Sequence, residues 1–104
     1  PEHNRSIPAA LKNALDVASR PYGSNKWNGK PALIASNSPG AISGFGANHH
    51  FRQIGTFLNL DMVAQPEVYL AQVNALIDTD GNFLNEGTKG FLQSAVDALI
   101  AKMK

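Results

Sequence analysis

Cysteine is absent from the 104 residues, which removes disulfides, thiolate metal sites and a cysteine nucleophile from consideration and accords with a reducing cytosol. An excess of one charge is missing too. Nine lysines and arginines stand against eight aspartates and glutamates, a net charge of +1, so the chain lacks the field that nucleic acid or an acidic membrane surface requires. No apolar run approaches the roughly 20 residues that span a bilayer, and the polar residues 1–5 are unlike a signal peptide. The expectation is a soluble, cytoplasmic protein with neither nucleic-acid nor membrane partners.

Metal chemistry is also poorly supplied. His49 and His50 are adjacent, and neighbours on a helix point in different directions, whereas one metal needs a pair at i and i+4. The turn at residues 78–82 (DTDGN) looks at first like a calcium loop. With Gly81 in the sixth position, however, Leu76 and Gly87 fall at the first and twelfth, and neither has a side-chain oxygen to offer. No Ser-His-Asp order and no carboxylate pair stands out, so no catalytic side chain is assigned.

What is present is an ordinary core composition, 43% hydrophobic, for one domain. Ile7, Leu11, Ala14, Leu15 and Ala18 recur at helical spacing, which predicts a helix with Ser6 as N-cap and a stop near Arg20, before Pro21. Residues 21–30 have loop composition, anchored by Trp27. Residues 31–36 (PALIAS) form a short continuous apolar run, predicting a strand covered on both faces. The glycine-rich stretch 37–46 opens into a second helix carrying Ala47, Phe51, Ile54 and Leu58, after which residues 60–64 read as another strand, resumed beyond Pro66 at residues 68–70. Residues 78–82 are a turn, and a third amphipathic helix runs from Glu86 to the end. The pattern is β-α-β crossover material. Two or three strands with three helices predict part of a doubly wound parallel α/β sheet whose opening strands are absent. Pro1 stands where an initiator methionine would, and a helix signal follows almost at once, as in a chain entered midway.

In such a sheet, ligands sit where strand ends meet helix starts. Two loops qualify. The first is Pro1-Glu2-His3-Asn4-Arg5-Ser6, which taken alone reads first as a capping segment. The second is Ser36-Asn37-Ser38-Pro39-Gly40 and the glycines beyond it, where a flat ligand can approach the backbone and serine or asparagine can bond ring polar groups. Taken alone, the second reads as readily as a flexible turn. Their placement on one sheet edge makes the pair more telling than either member. The spacing matches neither a dinucleotide fingerprint nor a P-loop. Arg52, beside the two histidines, suits a pairing with a carboxylate such as Glu67 across a subunit contact, or a solvated charge.

These residues resemble a known family. PEHNRSIP, followed by LKNALD and ASR, is similar to the P-E-Y-N-x-S-x-P-x-x-L-K-N-A-x-D-W-x-S-R signature of the NAD(P)H-dependent FMN reductases, a group that includes quinone and chromate reductases. The likeness continues through Gly29-Lys30-Pro31, the Ser-x-x-Gly loop at residues 36–44, His50-x-Arg52-Gln53, Gln65-Pro66-Glu67, and the Asp80-Gly81 turn with its terminal helix. It implies that residues 1–104 are the carboxyl-terminal part of a single flavodoxin-like, FMN-binding domain. The implied activity passes hydride from NAD(P)H to FMN and then electrons to a small acceptor: a quinone, a flavin or a metal oxyanion. The implied assembly is a homodimer or homotetramer. Carried over by position, Pro1, Glu2, His3 and Asn4 contact the flavin, mostly through backbone, Asn37, Ser38 and Gly40 meet the ring's pyrimidine end, and His49, Arg52 and Glu67 lie at a subunit contact. Two departures stand out. His3 replaces the family's tyrosine, and the family's glycine-serine phosphate loop has no counterpart in these residues, so the chain alone is expected to bind flavin weakly and to be inactive. A competing reading from another class is an oligomerisation module with no redox role.

Overall fold

The computed structural model describes all residues, 1–104. Three helices, α1 (Ala9–Ala18), α2 (Phe45–Phe57) and α3 (Glu86–Lys102), accompany four short strands, β1 (Pro31–Ala32), β2 (Ala35–Asn37), β3 (Asp61–Met62) and β4 (Val68–Leu70), with a 3₁₀ turn at Val73–Ala75. The strands pair in two parallel ladders. β1 lies along β3, with Pro31 opposite Asp61 and Ala32 opposite Met62. β2 lies along β4, with Ala35, Ser36 and Asn37 opposite Val68, Tyr69 and Leu70. Chain order through β2, α2 and β4 is therefore the expected crossover, and α2 packs on β2.

The predicted strand over residues 31–36 is corrected in two ways. It is divided, because residues 33 and 34 leave the ladder, and it is not covered on both faces: Ser36 is buried while Ala35 and Asn37 are exposed. Alternation of side chains across the pleat puts one set under α2 and leaves the other open. The later strands follow the expected bend, with β3 and β4 separated by residues 63–67.

The first helix starts later than its sequence signal. Its N-cap is Pro8, with no side-chain cap, not Ser6. Ser6 is instead drawn into a tight turn in which the His3 N–H donates to Ser6 O (2.8 Å) and the Ser6 N–H donates to His3 O (3.0 Å). The two central residues, Asn4 and Arg5, both sit at positive φ, 50° and 69°, as a two-residue hairpin turn of this hand demands. A bonded turn competes with the helix for Ser6, and the backbone bonds decide it.

The end of α2 shows how sequence writes a stop. Asn59 adopts the left-handed conformation, φ 56°, so that its N–H reaches Thr56 O and the Leu60 N–H reaches Gly55 O at 2.9 Å. These two bonds satisfy carbonyls the helix would otherwise leave open. The third helix opens on Asn85, whose side chain accepts the Thr88 N–H at 2.6 Å. Before it, the Asp78 carboxylate accepts N–H groups of Asp80 and Asn82, each at 2.9 Å. That closes the expected turn and holds the carboxyl below the usual aspartate range, chiefly through the Asn82 N–H.

The core under the helices consists of Ile7, Leu15, Ala47 and Leu58, with Trp27, Phe51, Ile54 and Leu60 packed against it. Trp27 ties the long loop down, its indole N–H donating to Leu15 O at 2.9 Å. Elsewhere apolar side chains stand open: Phe57 is 77% exposed and Val17 66%. No helix is long and apolar enough to cross a membrane.

Candidate functional site

The opening loop and the β2–α2 loop converge on the start of α2. That helix has no acidic residue in its own first turn and no side-chain cap, which leaves free N–H groups and the positive end of the helix dipole. The carboxylate that meets them comes from far along the chain: Glu2 Oε2 accepts the Ala47 N–H at 3.0 Å. Its other oxygen holds Arg5 at 3.3 Å. Gly46 makes the approach feasible. A Cβ there would lie 2.6 Å from Arg5 O and 2.8 Å from Glu2 Oε2. Pro1 shares a narrow cleft with Ile34, Ala35, Ser36, Ala47 and Asn48, so the amino terminus borders the same cleft as the first two residues of β2.

The second loop is tied down from the other side. The Ser38 N–H donates to Leu70 O, the Val73 N–H to Ser38 O and the Gln72 N–H to Gly40 O, all at 3.0 Å. Ser38 Oγ accepts the Gly40 N–H at 3.0 Å, which leaves its own O–H free to donate. Gly44, at φ 71°, brings the chain so close that a Cβ would touch Ser36 Cβ at 3.0 Å. Of the seven residues expected to hold a ring, Glu2 is thus occupied as a helix cap. The side chains of His3, Asn4 and Asn37 make no intramolecular hydrogen bond, and a Cβ on Gly40 would meet nothing nearer than Ser38 Oγ at 3.5 Å. Unspent donors and acceptors beside accessible backbone suit a flat polar ring.

One prediction follows for Glu2. Glu2→Ala is expected to lower the free energy of unfolding by about 1 kcal/mol, the worth of a lost cap, with Glu2→Gln losing less because an oxygen remains to accept the Ala47 N–H. Urea unfolding of the three proteins measures the difference, and equal midpoints would contradict the capping role.

The residues expected at a subunit contact lie near one another, and within the chain each has partners of its own. Arg52 does not pair with Glu67 within the chain. Its Nε donates to Asn48 Oδ1 at 2.9 Å and its Nη1 to Val63 O at 3.5 Å, while Nη2 is buried without a partner. Glu67 instead accepts the Tyr69 hydroxyl at 2.7 Å, and His49 Nε2 lies 2.8 Å from that same hydroxyl. Because the hydroxyl proton goes to Glu67, its oxygen is the acceptor for His49. Phe45 completes the cluster, 4.2 Å from the His49 ring and 5.1 Å from Tyr69. Burial, then the bond and charge of Glu67, push the Tyr69 phenol above its ordinary value, against the opposing charge of Arg52.

Asn48 was not singled out from the sequence. It is 1% exposed and donates to Ser36 Oγ and Val68 O, each at 3.2 Å, joining α2 to both strands of the second ladder. A polar residue beside Ala47 on the buried stripe of a helix was the available signal. No group of three or more histidines, aspartates or glutamates is placed to hold an ion.

Comparison with known proteins adds an independent line. Residues 1–75 match the family NADPH-dependent FMN reductase. The whole chain is 51% identical to a quinone reductase of Pseudomonas putida, covering 55% of that protein. It is 44% identical over 101 residues to a 2-hydroxy-1,4-benzoquinone reductase of Burkholderia sp, covering 97% of this chain and 55% of the relative. Among solved structures, FerB, a flavoenzyme NAD(P)H:(acceptor) oxidoreductase of Paracoccus denitrificans, superposes with a TM-score of 0.87 at 40% identity, over 97% of this chain and 56% of that one. The partial parallel sheet is therefore flavodoxin-like. The chain spans about half the length of the curated relatives it matches.

Proposed function

We propose, from the premise that this chain belongs to the NADPH-dependent FMN reductase family, that the complete protein carrying it is an NAD(P)H-dependent FMN oxidoreductase acting on a quinone. Residues 1–104 form the carboxyl-terminal part of its one FMN-binding domain. The observation that carries the reading is the meeting of two loops at the start of α2, one fixed by Glu2 and the other by Ser38 and Gly40. FMN, when bound, supplies the redox chemistry by taking hydride from NAD(P)H and passing electrons to the acceptor.

This chain's own residues hold and orient. The backbone of Pro1, Glu2, His3 and Asn4 borders one side of the ring. The Asn37 amide, the Ser38 hydroxyl and the exposed backbone at Gly40 meet polar ring atoms on the other. The quinone, in preference to chromate or free flavin, is supported by the names of the relatives at 44–51% identity. His49, Arg52 and Glu67, with Tyr69 and Phe45, belong to a contact between copies in a homodimer or homotetramer. The balanced charge and the lack of cysteine accord with a cytoplasmic protein.

A flavin titration tests the reading. The complete protein is expected to turn yellow with stoichiometric FMN, to bleach with NAD(P)H and to recover its colour on adding benzoquinone. The 104-residue chain alone, without a phosphate cradle, is expected to bind FMN more weakly than about 1 μM, or roughly 8 kcal/mol. A complete protein that stays colourless with FMN overturns the proposal.

A further inference from the structure

The largest cavity, about 580 Å³, is a groove between α1 and α2, and it opens beside the loop assigned to the flavin. His3, Asn4, Lys12, His50 and Gln53 provide most of its polar lining. We propose that the His3 imidazole is the proton donor to a quinone seated in this groove. The inference rests on the function proposed above and assigns a separate task to a side chain whose backbone alone that reading used.

Reducing a quinone to a hydroquinone takes two electrons and two protons. Hydride from the reduced flavin brings both electrons and one proton. The remaining proton has to reach the second quinone oxygen from a group in contact with it, since a phenolate product in a partly closed groove is costly. In the step assigned to His3, an imidazolium N–H bond breaks as the quinone O–H bond forms. The imidazole is left neutral and, because it is exposed, recovers its proton from water.

The groove narrows the choice of donor. Lys12 is held by both oxygens of Asp16, each at 2.9 Å. His50 Nδ1 is engaged with Ser6 Oγ at 2.9 Å. Asn4 and Gln53 carry amides, which do not give up protons near neutral pH. Only His3 combines an imidazole, a group that can both give and take a proton, with the absence of any intramolecular partner. Its backbone is nevertheless fixed, because the two bonds to Ser6 clamp both sides of the Asn4-Arg5 turn. Cross-turn partners project to the same side, which is why His3 and Ser6 both face the groove.

The test uses the flavin-loaded complete protein and its His3→Gln variant, in which an amide keeps hydrogen bonding but supplies no proton. Steady-state turnover is measured with benzoquinone, whose reduction consumes protons, and with ferricyanide, whose reduction does not. The expected result is a fall of tenfold or more in the benzoquinone-to-ferricyanide ratio, the low end of general acid catalysis. A second measurement does not depend on turnover: the His3 ring resonances of the oxidised protein are expected to shift when hydroquinone is added. An unchanged ratio, whether because both rates hold or because both fall together, overturns the proposal, as does a hydroquinone titration that leaves His3 unmoved. Failure of the flavin reading itself would appear differently, as no NAD(P)H oxidation with either acceptor.

Discussion

Replacing Asn48 by leucine is expected to cost the fold about 3 kcal/mol or more, although leucine is close in size and more apolar. The side chain is 1% exposed, and its removal strips a partner from each of three groups at once: Ser36 Oγ, Val68 O and Arg52 Nε. Each buried polar group left without a partner costs about 1–3 kcal/mol, and more where charge is involved. The apolar gain of leucine offsets only part of this. Arg52 bears the heaviest share, because its Nη2 is already without a partner and its guanidinium cannot shed its charge. Urea unfolding of the complete protein should show a lower midpoint at an unchanged slope. A variant as stable as the parent would mean that the network is incidental to the fold.

The second large effect concerns Gly46, through which stability and the site are joined. A methyl group there has to displace either the Arg5 carbonyl, 2.6 Å away, or the Glu2 carboxylate, 2.8 Å away. The carbonyl is backbone in a turn clamped by two hydrogen bonds, so the whole opening loop must move. Overpacking of this kind costs about 1–3 kcal/mol. If the loop borders the flavin as proposed, Gly46→Ala should weaken FMN binding about tenfold, since 1.4 kcal/mol is a factor of ten. Gly90→Ala is the control. That glycine lies within α3 with nothing within 4 Å of an added Cβ, and alanine there should stabilise the protein by about 0.5–1 kcal/mol without touching flavin affinity. Wild-type FMN affinity in Gly46→Ala would separate this loop from the flavin.

Several features were legible in the residues because the forces behind them are local. Apolar spacing placed α2 and α3, turn chemistry placed the loop at residues 78–82, and the opening signature, read as one contiguous string, pointed to the family that the comparisons identify. Where local signals failed, another part of the chain had intervened. Ser6 looked like a cap, yet its N–H went to His3 and its hydroxyl to His50. The run at residues 31–36 looked like one buried strand, but only the side under α2 is covered.

The sequence by itself determined which elements form, in what order, and to which family they belong, since periodicity, caps and a continuous motif each act within a few residues. The tertiary structure alone decided that Glu2 closes a helix 45 positions away and that His50 reaches back 44 positions to Ser6, leaving His3 unpartnered at a groove. The physical reason is that hydrogen bonds and sterics act over a few ångströms of space. Separation along the chain says nothing of such distances until the crossover through β2, α2 and β4 has brought the loops to one edge.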